Sequence, residues 1–315
     1  MQKNHEIIGI FGGGSFLAKY AIEKLCKAGY RLKIGTRKPW LLNNIKTIMG
    51  SPGQIEIIKV DIFNPESVKK FLENCDYSIN YCGQLFQKKI SFNQLHNKWP
   101  EMLAKISSEL KIKKLIHISA LNPIQNHPSE YMSSKMLGEE NIKNNIKNYF
   151  ILRPSLVIGN GDDQFFSAFG TMAQFSPIIP IPGTGKTLFS PVHVSDCAEA
   201  VVKLLKIENP KERTFEITGP KNYSFKNLIE IFLKEIKKKR ILITVPWKII
   251  KIQSYFLQYF PKPLAISPDQ ILLLKHDSVP TGKFPLLKNL GVIPKDINSV
   301  FKYWIRYRTY GQFNK

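Results

Sequence analysis

Ile7-Ile8-Gly9-Ile10-Phe11-Gly12-Gly13-Gly14-Ser15-Phe16-Leu17-Ala18 joins a short apolar run to a glycine turn and the start of an amphipathic stretch. The run has the β-branched content and the length of a strand. After the turn, apolar residues recur at Leu17, Ala21, Leu25 and Ala28 and stop at Gly29, the period and the terminal glycine of a helix. The alternation continues downstream, with strands expected at 31–34, 55–60, 77–80, 115–118 and 150–152. Between two of them, Asn64-Pro65-Glu66 supplies a helix start: a capping side chain, a proline at the first helical position and an early acid. Strands alternating with helices in this way dictate an α/β fold with a doubly wound parallel sheet. Past residue 160 the pattern loosens. Pro177, Pro180, Pro182, Gly183 and Gly185 crowd together, and helices are expected at 195–206, 224–239 and 247–259. The expected division is a sheet domain over 1–159, rejoined by 188–206, and a smaller irregular lobe from 160–187 and 207–315.

With 315 residues, 43% hydrophobic and 11% aromatic, the chain can bury a real core, which excludes general disorder. Its 46 Lys+Arg against 24 Asp+Glu leave a net charge of +22. Only 7 of the basic residues are arginine, the side chain best suited to reading bases and phosphates, so no nucleic-acid partner is expected. The 4 cysteines show neither C-x-x-C pairing nor histidines at ligand spacing, so no disulfide framework and no metal site is expected. That cysteine usage suits a reducing, cytoplasmic compartment. No export leader is visible, and no window is apolar over the length of a membrane span.

A strand, a glycine loop and a helix in succession are the elements with which a Rossmann fold holds a pyrophosphate. Glycines let the backbone approach the phosphates, and the helix N-terminus supplies amides and positive dipole. Gly12, Gly14, Ser15 and Phe16 are the residues of that loop. The second strand runs into Gly35-Thr36-Arg37-Lys38, and no Asp or Glu occurs from Arg31 to Ser51. An acid there would bond the ribose 2′-hydroxyl of NAD, whereas Arg37 and Lys38, beside Thr36, can neutralise a 2′-phosphate. NADP(H) is therefore favoured over NAD(H). Tyr131-Met-Ser-Ser-Lys135 places a phenol and an ammonium on one helix face, where the lysine can acidify the tyrosine and touch the nicotinamide ribose. Chance supplies about one or two such spacings in a lysine-rich chain. Tyr20 and Lys24 form another, inside the first helix. Position separates the two pairs, since 131/135 follows the strand that ends at Ser119.

Together these residues resemble the short-chain dehydrogenase/reductase superfamily in its extended or atypical branch. The resemblance spans Ile7 to about Ala200 and includes Asp61-Ile62, Asn80-Tyr81-Cys82-Gly83, Ser119, Tyr131/Lys135, Leu152-Arg153-Pro154-Ser155 and Pro191-Val-His-Val-Ser-Asp196. Leu152–Gly159 with Asp162-Asp163-Gln164-Phe165-Phe166, Phe215-Glu-Ile-Thr-Gly-Pro220 and Ser267-Pro-Asp-Gln270 look most like the alpha-subcomplex subunit nine family of respiratory complex I. The resemblance implies a cofactor site of Gly12, Gly14, Ser15, Phe16, Thr36, Arg37, Lys38, Asp61, Ile62, Cys82, Gly83, Ser119, Tyr131, Lys135, Pro154 and Ser155. It also implies a catalytic set of Tyr131, Lys135 and, in a substitute role, Ser119. Two departures matter. Ser15 and Ala18 stand where the loop's second and third glycines would be. Leu121 stands where the superfamily has a hydroxyl residue, which removes an oxyanion donor.

The expectation is thus an NAD(P)H-binding accessory subunit that stabilises complex I without turnover of its own, peripheral on the cytoplasmic face of the inner membrane. Its partners would be the dinucleotide, other respiratory-complex subunits and an anionic membrane surface. One alternative is an active NADP-dependent oxidoreductase or nucleotide-sugar epimerase/dehydratase using Tyr131 and Lys135; another is a nucleotide-sensing regulator. His117, inside an apolar strand, reads as a core residue. Trp247–Phe260, with its aromatic and apolar residues around Lys248 and Lys251, reads as a helix packing on its own core, with a lipid-facing helix as the alternative.

Overall fold

Residues 6–42, 45, 50–87, 89–161, 165–260, 264–298 and 301 are described by the computed structural model. Asp162, Asp163 and Gln164 of the quoted motif lie outside them. Six strands form where apolar runs were expected, β1 (Ile7–Phe11), β2 (Arg31–Thr36), β3 (Ile55–Lys59), β4 (Tyr77–Asn80), β5 (Lys114–Ile118) and β6 (Tyr149–Pro154), and a seventh, β7 (Thr214–Ile217), forms where none was expected. All pair in parallel, in the order β7-β6-β5-β4-β1-β2-β3. The order reverses direction between β1 and β4, the switch point at which open sheets of this kind take ligands.

Helices α1 (Phe16–Lys27), α2 (Pro65–Leu72), α3 (Trp99–Glu109) and α4 (Glu130–Asn145) connect the strands. Their ends follow from local chemistry. Ser15 caps α1 by accepting from the Ala18 amide, and Asn64 caps α2 by accepting from Ser67. The expected cap, proline and acid of α2 are all in place. Six residues before α3, Asn93–Lys98, form a π-helical turn. Phe11, Phe71 and Trp99 meet under the sheet with ring centroids 4.8 and 4.9 Å apart, in a cluster completed by Leu103, Leu115 and Ile151.

The chain divides into two compact units. One takes the chain up to Pro154, Val194–Ile217 and Gly282–Ile293; the other takes Ser155–His193, Thr218–Thr281 and the chain from Pro294 onward. These bounds differ from the expected ones at 155–159 and 188–193, which fall in the second unit, and at 207–217 and 282–293, which fall in the sheet unit. The reason is long-range pairing: Thr214 to Ile217 match Ile151 to Pro154 in register, and the Glu216 amide donates to the Pro285 carbonyl. Within the same unit, Lys24 on α1 pairs with Glu199 on the helix Val194–Leu205 at 2.7 Å. The second unit has its own core, where Phe166, Phe232 and Phe301 pack with centroids 4.7 to 5.7 Å apart. No described helix is long and apolar enough to cross a membrane.

Candidate functional site

Parallel strands put the loops that follow them at one edge of the sheet. Gly12–Phe16, Arg37–Lys38, Asp61–Ile62, Cys82–Gly83 and Ser119 follow β1, β2, β3, β4 and β5, while Thr36 and Pro154 end β2 and β6. Gly12 has φ +76°, and a Cβ there would lie 2.8 Å from the Tyr81 carbonyl carbon and 2.9 Å from the Cys82 amide. The turn closes with the Ser15 amide donating to the Gly12 carbonyl at 3.0 Å. Two loops thus approach backbone to backbone beside the α1 N-terminus, whose first amides have no partners within the helix. Gly14 is exposed, and Phe16 opens α1 edge-on to Tyr20 at 5.8 Å.

Next to this turn the Thr36 hydroxyl accepts from the Lys38 amide at 3.2 Å. Arg37 and Lys38 are exposed and form no ion pair among the described residues. Asp61 folds back to accept from the Phe63 amide at 3.0 Å, and Ile62 packs half-buried on the sheet core.

Tyr131 and Lys135 lie on α4, where the sequence puts them. Lys135 is buried, its Nζ donates to the Ile118 carbonyl at 3.1 Å, and it sits 5.9 Å from the centre of the Tyr131 ring. Burial pulls the lysine down to about 8, against the opposing pull of Glu139 and Cys82. Cys82 itself is pushed up to about 12 by burial, with Lys135 and Arg37 acting the other way. The Ser119 hydroxyl, at the end of β5, is buried and has no hydrogen-bond partner among the described residues. Pro154 accepts the Leu121 amide at 3.0 Å, and Leu121 is a buried apolar side chain, so this position supplies no hydroxyl. Ser155 falls in the second unit, where its hydroxyl donates to the Ser278 carbonyl at 2.8 Å.

Three important residues escape sequence reasoning. His96, in the π-helical turn, accepts the Gln84 amide on Nε2 at 3.2 Å, which places its proton on Nδ1, 3.1 Å from the Ser134 hydroxyl. Ser134 in turn donates to the Tyr131 carbonyl at 2.8 Å. Burial, then the Lys135 charge, push His96 down to about 2, so it stays neutral. Its ring stacks on Phe92 and meets Tyr131 edge-on, both with centroids 5.3 Å apart. A Cβ on Gly138 would come within 2.0 Å of the His96 carbonyl, which shows how closely this turn abuts α4. Asn80 is the second: it receives the Trp99 indole and the Cys82 amide, each at 3.0 Å, and bonds His117 Nδ1 at 3.0 Å. His117 is the core residue expected. The third is Glu139, which binds Arg153 through two hydrogen bonds of 2.8 and 2.6 Å. Two of the three had a sequence signal: Phe92, Leu95 and Trp99 mark an apolar face around His96, and Asn80 opens the Asn80-Tyr81-Cys82-Gly83 stretch, of which only Cys82 and Gly83 were expected at the site.

The residues fit a dinucleotide: a glycine turn that admits no side chain, an adjoining helix start, unpaired cations after β2 and an unsatisfied hydroxyl after β5. A family model described as "NAD dependent epimerase/dehydratase family" matches residues 8–218. The chain belongs to that family. Its cofactor class is therefore a nicotinamide dinucleotide. The chain is also 28% identical over 302 residues to the NADH-ubiquinone oxidoreductase 40 kDa subunit of Neurospora crassa, covering 95% of this chain and 79% of that one. It is 26% identical to the NADH dehydrogenase [ubiquinone] 1 alpha subcomplex subunit 9 of Arabidopsis thaliana, covering 96% and 78%. UDP-glucose 4-epimerase from Bifidobacterium longum, solved with NAD+ and UDP, shares the fold with a TM-score of 0.72 and 16% identity, covering 97% of this chain and 98% of that one.

The buried lysine gives a pH prediction. Below about pH 8 folded and unfolded chains both carry the Lys135 proton, and the full cost of burying the charge stands. From about 8 to 10.5 only the unfolded chain keeps it, so stability rises with pH; above that range neither does, and the gain is complete. The gain amounts to about 3 kcal/mol. Urea midpoints of the nucleotide-free protein should climb more across this window in wild type than in Lys135→Met. Equal slopes would contradict the assignment.

Proposed function

We propose that the chain is an accessory subunit of a respiratory NADH:ubiquinone oxidoreductase (complex I), in which bound NADP(H) braces the fold and the protein itself turns nothing over. The observation that carries this reading is the likeness to complex I subunits along 95% of the chain, through both units rather than the nucleotide-binding one alone. Leu121 supports it, because a reductase or epimerase working through Tyr131 would need the missing oxyanion donor. The place proposed for the protein is peripheral, on the cytoplasmic face of the inner membrane, beside other subunits and an anionic lipid surface.

A nicotinamide dinucleotide supplies hydride chemistry where a substrate is present; here the chain's residues hold it. Gly12, Gly14, Ser15 and Phe16 take the pyrophosphate, and Asp61 and Ile62 the adenosine. Cys82, Gly83, Ser119, Tyr131, Lys135 and Pro154 complete the nicotinamide side, with His96 and Ser134 fixing the Tyr131 backbone. A ligand present at a thousand times its Kd adds about 4 kcal/mol to folding stability, which is what a structural cofactor contributes.

Arg37 and Lys38 carry the choice of NADP(H). Replacing both with alanine removes two charge-assisted contacts and should weaken NADPH binding about 10- to 100-fold while leaving NADH within a few-fold of wild type. Titration calorimetry with both nucleotides measures this; equal losses for the two would refute the 2′-phosphate role.

Tyr131→Phe tests the absence of turnover. It should keep the nucleotide content, the assembly level of the complex and its NADH:ubiquinone activity. An NADPH-dependent reduction or epimerisation that disappears with this hydroxyl would establish the catalytic alternative instead.

A further inference from the structure

The helix Trp247–Leu257 buries only Ile250 and Ser254, four residues apart on one face. Its other face is apolar too. Ile249, Ile252 and Phe256 follow helical spacing and are exposed, 62% at Ile252 and 72% at Phe256, and the chain beyond adds Tyr259 and Phe260. A surface helix ordinarily turns a single apolar stripe inward. The strand that leads into this helix behaves alike. Ile241–Val245 pairs in parallel with Ile178–Pro182; Ile179 and Ile181 are fully buried, whereas Ile178, Ile241 and Ile243 are exposed. An exposed apolar patch of this kind marks an interaction site.

Charge selects the partner. From Ile236 to Ser267 the sequence carries 7 Lys or Arg and no Asp or Glu. Lys248 and Lys251 lie on the helix itself without an ion pair among the described residues. Protein interfaces are depleted in lysine and enriched in arginine, whereas lysines beside aromatic and aliphatic residues are the composition of helices lying in a bilayer interface. An 11-residue helix is too short to cross a bilayer, so against lipid it can only lie along the surface.

We propose that Trp247–Leu257 and its continuation to Phe260 form a lipid-anchoring surface of the chain's own. Ile249, Ile252, Phe256 and Phe260 seat at the acyl boundary of an anionic bilayer, with Lys248 and Lys251 among its headgroups. This rests on the membrane-side placement proposed above and adds that the chain holds lipid without help from other subunits.

The test is cosedimentation of the full-length, nucleotide-loaded protein with vesicles of phosphatidylcholine, alone or with one third phosphatidylglycerol. Wild type should bind the anionic vesicles, bind the neutral ones at least tenfold more weakly, and detach as salt is raised. Ile252→Glu with Phe256→Glu should lower partitioning at least tenfold while nucleotide content stays at the wild-type level, which certifies the fold. Lys248→Gln with Lys251→Gln, a milder surface change, should remove most of the preference for anionic lipid. The proposal is overturned if wild type ignores both vesicles, or if the Ile252/Phe256 variant sediments like wild type. It is likewise overturned if that variant loses its place in the respiratory complex while wild type shows no lipid binding, since the face would then be a protein contact. Comigration with the complex in detergent tests the subunit assignment separately and does not depend on the vesicle result.

Discussion

Gly12→Val should yield a protein that leaves purification without nucleotide. At φ +76° a β-branched residue is strained by about 1–3 kcal/mol. The new side chain also has nowhere to go, because its first carbon would lie 2.8 Å from the Tyr81 carbonyl carbon, which is backbone and cannot swing aside. The loop after β1 must move away from the loop after β4, which opens the turn that receives the pyrophosphate. Retention should fall by more than about a hundredfold, the equivalent of losing roughly 3 kcal/mol of binding. Chromatography of the nucleotide released on denaturation measures it, and the loss of thermal stabilisation by added NADPH confirms it. A variant that retains a full complement of nucleotide would show that this loop is not the phosphate site.

The second large effect lies outside the site. Glu139 is fully buried and Arg153 only 5% exposed; the guanidinium is held by both carboxylate oxygens and lies 4.5 Å from the centre of the Phe284 ring. Glu139→Ala strands that cation in the interior, at a cost of about 3–5 kcal/mol. Against a total stability of roughly 5–15 kcal/mol, such a loss leaves a substantial unfolded fraction at growth temperature. Replacing both partners with methionine should cost much less, because the buried guanidinium goes with its carboxylate and the other ion-pair partner, Lys143 at 3.6 Å, is partly exposed. Urea unfolding of the single and double variants decides it; equal destabilisation would mean that packing, and not the buried charge, is what Glu139 contributes. The same carboxylate sits one helical turn beyond Lys135 and favours its charged form, so the single change should also lower the lysine further.

Much of the sheet was legible because its determinants are local. The β-branched content of Ile7–Phe11, the Asn64 cap with Pro65 behind it, and the glycine at the end of α1 each act within a few residues of themselves. β7 was not, because nothing inside Thr214–Ile217 says that it will align with Ile151–Pro154, some sixty residues earlier. The Glu139–Arg153 pair and the His96–Ser134–Tyr131 chain are hidden for the same reason: their partners come from separate elements. Tyr131 and Lys135 show what spacing can and cannot do. Tyr20 and Lys24 have the same spacing, yet Tyr20 packs on Phe16 and Lys24 pairs with Glu199. Only the place after β5, next to the Ile118 carbonyl and the unsatisfied Ser119 hydroxyl, sets the later pair apart. The charge of +22 was plain from the start, but its allocation was not. The Trp247–Leu257 helix has the periodicity of a core helix, and the structure gives it a second apolar face turned outward.

Isolation of the native protein from detergent-solubilised membranes, with the subunits that accompany it and the nucleotide it releases identified together, tests the central claim most directly. The protein should comigrate with the subunits of a respiratory NADH:ubiquinone oxidoreductase and release close to one NADP(H) per chain. A protein that runs alone, carries no dinucleotide, or consumes NADPH with a small carbonyl or nucleotide-sugar substrate would contradict it.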